Sequence, residues 1–110
     1  MKKFEDEVYL KHILDAILQV ETYIQNYTFE SFSSDRKTID AVIRELAVIG
    51  EAANNISKSF QKEHPEILWS KMISMRNFLI HEYFGLDKTT IWKTCQDSIP
   101  KLKEQIKKLI

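Results

Sequence analysis

One cysteine, two glycines and two prolines in 110 residues leave this chain with little local punctuation. A lone thiol, Cys95, excludes an internal disulfide and a cysteine-based zinc site, and fits a small buried hydrophobe. Glycine and proline are too sparse for the many tight turns of an all-β plan. No apolar run approaches the roughly 20 residues that a membrane helix needs. The opening Met1-Lys2-Lys3-Phe4-Glu5-Asp6-Glu7 has no apolar core of a signal peptide, so a cytoplasmic protein without membrane contact is expected. Neither sign of charge prevails: 16 Lys and Arg balance 16 Asp and Glu, which argues against a protein that coats nucleic acid non-specifically. No glycine-rich phosphate loop and no His/Cys/Asp cluster at metal-ligand spacing occurs, so no metal site is expected.

What is there is an ordinary globular composition, 44% apolar and 29% charged, at a length suited to one domain over residues 1–110. Charge is unevenly placed. Residues 88–110 carry six lysines against Asp97 and Glu104, a net +4, whereas residues 1–30 carry a net −3. The basic C-terminal segment reads either as the solvated face of a helix or as help in holding a polyanion.

Apolar residues recur at helical spacing through four segments. Leu10, Ile13, Leu14, Ile17, Val20, Ile24 and Tyr27 predict a helix over about 5–27, with acidic Glu5, Asp6 and Glu7 suiting the positive end of its dipole. Residues 28–33 read as a connection. Ser33, Ser34 and Asp35 are N-cap candidates for a second helix to about Ser57, striped by Ile39, Val42, Ile43, Leu46, Ile49, Ala53 and Ile56. Gly50 inside it costs roughly 1 kcal/mol relative to alanine. With Ala52 and Ala53 beside it, it predicts a tight helix crossing. Lys58–Leu68, polar and containing Pro65, reads as a loop. A third helix is expected over about 69–83. Gly85 is the candidate for the residue just past its end, and Asp87 for the cap of a fourth helix over 88–109. Pro100 lies inside that fourth stripe and predicts a kink. Trp69, Phe78 and Trp92 read as core aromatics, and His12 and His64 as surface residues. The expected fold is an all-α, antiparallel up-and-down bundle of four, or five, helices.

The third segment carries the chemistry. Residues 76–83 read Arg-Asn-Phe-Leu-Ile-His-Glu-Tyr. Arg76 is a permanent cation with a fork that fits phosphate, and His81 both takes and gives a proton near neutrality. Asn77 and His81 are four apart and share a helix face, as do Arg76 and Tyr83, seven apart. Arg76 and His81 are five apart, about 140° around an ideal helix. They converge if the helix deforms, if Arg76 swings round, or if a second copy completes the site across a two-fold. Together they suit metal-free cleavage of RNA. A base takes the 2′-hydroxyl proton, the oxygen attacks phosphorus, and an acid protonates the leaving 5′-oxygen. In that scheme His81 is base, acid or both through its mate, Arg76 holds the phosphate, Asn77 orients His81 or binds phosphate, and Tyr83 contacts or stacks on the substrate. The bland reading pairs Arg76 with Glu82 or Asp87 on the surface and gives Tyr83 a core position with a wet hydroxyl.

Arg76, four residues, His81, one residue, then Tyr83 resembles the R-x4-H-x-Y signature of the HEPN superfamily. Within it, the chain resembles the HepT toxins of the HepT/MntA (HEPN/minimal nucleotidyltransferase) toxin–antitoxin pairs. Arg44–Ala53 is similar to the second-helix block of that family, Pro65–Trp69 to the lead into its motif helix, and Trp92 and Pro100 to features of its last helix. The resemblance implies a helical bundle, a homodimer with a paired site, and a metal-independent endoribonuclease with catalytic Arg76 and His81. It also implies a type VII-like toxin–antitoxin pair whose nucleotidyltransferase antitoxin, using ATP and Mg, transfers AMP to Tyr83. Glu51 and Arg44 match the family block without an assigned role. The alternative is a non-catalytic helical module that binds nucleotide or assists a partner nucleotidyltransferase. A plain dimerisation adaptor is the third reading.

Overall fold

A computed structural model describes the backbone of residues 2–81 and 85–110, with side chains from residue 5. Every regular element among these residues is helical: α1 (Lys2–Tyr23), α2 (Phe29–Ser33), α3 (Arg36–Asn55), α4 (Lys58–Glu63), α5 (Trp69–His81), α6 (Lys88–Lys93) and α7 (Ile99–Lys107). A π-helical turn, Thr94–Ser98, joins α6 to α7.

The core is built mainly from the predicted stripes. Leu10, Ile13, Ile17 and Val20 of α1 are fully buried, as are Val42, Leu46 and Ala53 of α3. Helix α3 lies at the centre, with α1 packed on one side and α5 on the other, and α1 also meets α7. That is the all-α bundle the periodicity predicts.

The polar stretches depart from expectation. Helix α1 ends at Tyr23, four residues early, because the chain turns through Asn26, whose φ of 67° is left-handed. Tyr27 then leaves the helical stripe, and its hydroxyl donates to Asp35 Oδ2 at 2.5 Å. Residues 28–33 are not a plain connection. Thr28 and Ser31 form a capping box that starts α2 and sinks Phe32 into the core. The expected loop over 58–68 begins with α4, capped by Ser57. Asp6 does more than face the helix dipole: it is 3% exposed and accepts from Ser57 N at 2.8 Å and Ser57 Oγ at 2.7 Å, tying α1 to the α3–α4 corner.

Asp35 caps α3, accepting from Thr38 N at 3.1 Å, and Asp87 caps α6, accepting from Thr89 N at 3.0 Å. Gly85 does not adopt positive φ, and the helix end it was expected to follow lies outside the described residues. The break around Pro100 is resolved upstream. Proline lacks an N–H and its ring clashes with the carbonyl four residues back. The wider π turn over Thr94–Ser98 precedes the proline, which then sits in the first turn of α7.

Candidate active site

Helix α5 carries the motif, and Gly50 sets its distance from α3. A β-carbon at Gly50 would stand 2.2 Å from Arg76 Cβ and 2.6 Å from the carbonyl oxygen of Met72. Only a hydrogen at that position admits the stem of Arg76 and the backbone of α5. The tight crossing expected from Gly50 is therefore present, and Arg76 is the residue that uses it.

The Arg76 guanidinium is held twice. Its Nη2 lies 3.0 Å from Glu51 Oε2, the residue after Gly50 on α3. Its Nη1 donates to Asn77 Oδ1 at 2.8 Å. Arg76 makes this interhelical pair with Glu51 rather than the one expected with Asp87, and Glu82, the other expected partner, lies outside the described residues. The Arg76 side chain is 32% exposed and that of Glu51 is 52%, so the head of the pair faces solvent. On its far side Glu51 borders a small notch of about 130 Å³ shared with Tyr9, His12, Val48, Ala52 and Asn55.

His81 is the last described residue of α5 and is exposed. No hydrogen bond or ion pair joins it to Arg76 within the chain, in keeping with a five-residue step of about 140°. Asn77 is exposed and engaged with Arg76 rather than with His81. Tyr83, with Glu82 and Phe84, lies outside the described residues. One chain therefore presents a fixed guanidinium and a separate, accessible imidazole on the same helix.

The remaining histidines differ from each other. His12 is exposed, as expected, at the rim of the notch. His64 is part of the structure: its ring lies 4.5 Å from that of Phe60, its Nδ1 is 3.5 Å from Glu66 Oε2, and its carbonyl accepts from Trp69 Nε1 at 3.0 Å. Among the described residues, no group of three or more His, Cys, Asp or Glu is gathered to hold a metal.

Apolar residues ring much of α5. Trp69, Met72 and Leu79 are buried, as the core reading of Trp69 predicts. Phe78 is 50% exposed and Ile80 51%, so Phe78 is not the core aromatic expected. Trp92 is half-buried, packed against Phe32 with ring centres 5.1 Å apart. Between α5 and the α6–α7 arm runs an apolar groove of about 580 Å³, bordered by Leu68, Met75, Phe78, Thr94, Ile99 and Leu102. Of the six C-terminal lysines, Lys88 donates to the Ser33 carbonyl at 2.8 Å and Lys103 pairs with Glu21 at 2.9 Å. Lys101 lines the groove.

The family model described as "Ribonuclease HepT-like" matches residues 13–109, from α1 to the last turn of the bundle. The chain belongs to the HepT-like ribonuclease family. It is 48% identical over 101 residues to the protein named "Probable ribonuclease HepT" of Thermococcus cleftensis, covering 92% of each chain. It is 37% identical over 102 residues to a protein named as a putative RNase in Caldanaerobacter subterraneus subsp. tengcongensis, covering 93% of this chain and 91% of that one. To a "Gamma-glutamylcyclotransferase and putative RNase" of Methanocaldococcus jannaschii it is 38% identical over 104 residues, or 94% of this chain but 47% of that longer protein. No solved structure gives a significant match. This is the family that the stretch over residues 76–83 resembles.

Of the two residues that the sequence left without a role, Glu51 and Arg44, it is Glu51 that the structure brings to Arg76. Its position after Gly50 was the available signal: a glycine that brings two helices together also brings its neighbour's side chain to the crossing.

Proposed function

We propose that this chain is the toxin of a type VII-like toxin–antitoxin pair, a metal-independent endoribonuclease acting as a homodimer. Membership of a ribonuclease family supports the reaction class. The observation that carries the mechanism is the placement of Arg76 and His81 on one helix, each reaching solvent, with half-exposed Phe78 and Ile80 beside them. Covering an apolar side chain contributes about 1.5–3 kcal/mol when burial is complete. A two-fold contact through this end of α5 would cover Phe78 and Ile80 and bring one copy's His81 toward the other's Arg76.

In that cleft the scissile phosphate lies against Arg76, whose charge offsets the charge growing on the non-bridging oxygens. One His81 takes the proton of the ribose 2′-hydroxyl while the new 2′-oxygen–phosphorus bond forms. The phosphorus–5′-oxygen bond breaks, and a protonated His81 gives its proton to the leaving oxygen. The products are a 2′,3′-cyclic phosphate and a 5′-hydroxyl. Asn77, bonded to Arg76, helps to fix the guanidinium plane. The nucleophile belongs to RNA, so DNA is not a substrate, and no cofactor enters the reaction.

Control falls to a nucleotidyltransferase antitoxin that uses ATP and Mg to place AMP on Tyr83. Seven residues from Arg76, an added phosphate group competes with RNA for the same guanidinium and adds bulk beside it. The protein acts in the cytoplasm, on RNA, without membrane contact.

Cleavage of a labelled RNA in EDTA tests the reaction. The parent protein should cut it, and Arg76→Ala and His81→Ala should each lose most of that activity. Parent-like cleavage by His81→Ala contradicts the mechanism. Mass spectrometry after incubation with the transferase, ATP and Mg tests the regulation, and an unmodified Tyr83 removes it.

A further inference from the structure

We infer that Glu51 is a positioning residue for the phosphate-binding Arg76, an inference that rests on the ribonuclease reading above. Three observations converge on it. Gly50 brings α3 against the stem of Arg76, with room only for a hydrogen. The next residue, Glu51, then places a carboxylate oxygen 3.0 Å from Nη2. Asn77 takes Nη1 at 2.8 Å, so the two terminal nitrogens are each fixed by a different helix.

A free arginine side chain samples many rotamers, and its planar fork serves catalysis only when it is already aimed at the phosphate. Glu51 and Asn77 each use one of five guanidinium N–H groups and leave three for a phosphate. Two anchors on different helices fix the plane as well as the position, which a single hydrogen bond would not. Glu51 does not touch the reacting atoms. It acts through Arg76, and its own carboxylate is 52% exposed at the rim.

A half-exposed ion pair adds little to folding stability. The pair therefore matters at the site rather than in the core, and this separates the positioning role from a structural one. Glu51→Gln keeps an acceptor oxygen for Nη2 and loses the charge. Glu51→Ala loses both.

The test measures single-turnover cleavage of a fluorescein-labelled single-stranded RNA in EDTA, melting temperature, and anisotropy binding of the same oligonucleotide carrying 2′-deoxyribose throughout. Glu51→Ala should cut at least about tenfold more slowly, since misplacement by about 1 Å costs on the order of 100-fold. Its melting temperature should stay within about 2 °C of the parent. Glu51→Gln should keep cleavage within about threefold of the parent. In an Arg76→Ala background, Glu51→Ala should change binding of the 2′-deoxy oligonucleotide by less than about twofold, because its effect runs through Arg76.

Parent-like cleavage by Glu51→Ala overturns the inference, as does equal damage in Glu51→Gln and Glu51→Ala. A further large loss of binding in the Arg76→Ala background also overturns it, since Glu51 would then act independently. If Arg76→Ala itself cleaves at the parent rate, the ribonuclease mechanism fails. If Arg76→Ala is inactive and Glu51→Ala is not, only the positioning role fails.

Discussion

Replacing Gly50 with alanine puts a methyl group where the stem of Arg76 now sits. The new carbon would fall 2.2 Å from Arg76 Cβ and 2.6 Å from the Met72 carbonyl oxygen. Neither neighbour is the free end of a flexible side chain: one is a β-carbon fixed to the helix and the other is backbone. Helix α5 must therefore move away from α3 by roughly 1 Å. Overpacking of this kind costs about 1–3 kcal/mol, against a gain of roughly 1 kcal/mol in helix propensity from glycine to alanine. Because a backbone carbonyl is in the way, the clash should win by about 1–2 kcal/mol. At about 4–8 °C per kcal/mol for a domain near this size, Gly50→Ala should lower the melting temperature by roughly 4–16 °C. Activity should fall further than folding does, by on the order of 100-fold, because the displaced helix carries Arg76 away from Glu51. Circular dichroism melting and RNA cleavage at 25 °C read the two effects separately. Gly85→Ala is the control: among the described residues its β-carbon meets nothing within 4 Å and its φ is not positive, so it should melt at or slightly above the parent temperature. A Gly50→Ala protein that melts no lower than the parent and cuts at the parent rate refutes the close-crossing account of Arg76.

Other outcomes follow from the frame around the site. Asp6→Ala removes the acceptor of two hydrogen bonds from Ser57 at a buried position, and should cost about 1–3 kcal/mol in urea unfolding. The Tyr27 hydroxyl, then Thr38, hold the Asp35 carboxyl below its ordinary value of 3.8. The folded state therefore favours the ionised form: the stabilisation is present above about pH 4 and is lost as pH falls through the lowered folded value. Asp35→Asn should flatten the acid limb of stability below about pH 4, and an unchanged limb would contradict this. Burial pushes the Cys95 thiol up to about 12. It should resist a thiol-reactive dye in the native protein at pH 8 and react in full once the chain is unfolded.

The long helices were legible because each buries a stripe whose spacing survives in the sequence: Leu10 to Val20 in α1, Ile39 to Ala53 in α3. The short helices were not. Residues 29–33 and 58–63 are too brief for periodicity to register, and what creates them is capping by Thr28 and Ser57, hydroxyl residues common in any loop. Phe78 misled for another reason: spacing identifies apolar positions on α5 but does not say whether this chain or another copy covers them.

At the site, the sequence displayed Arg76, Asn77, His81 and Tyr83 together because they are neighbours in the chain. It could not display the Glu51–Arg76 pair, which exists only because Gly50 lets two helices touch 25 residues apart. Nor does helical spacing unite Arg76 with His81 in one chain, and the structure keeps them apart in the same way. In the proposed mechanism, a cleft shared between two copies reconciles that separation with catalysis.

The most direct test of the shared cleft mixes two inactive proteins. Arg76→Ala and His81→Ala should each fail to cleave RNA alone, since each homodimer lacks one of the two groups throughout. Unfolded together in equal amounts and refolded, they form mixed dimers in which an intact Arg76 from one copy faces an intact His81 from the other, and part of the cleavage in EDTA should return, with one imidazole of the pair in place. A mixture that forms mixed dimers and stays as inactive as its components would contradict the central claim that two copies of this chain build one active site.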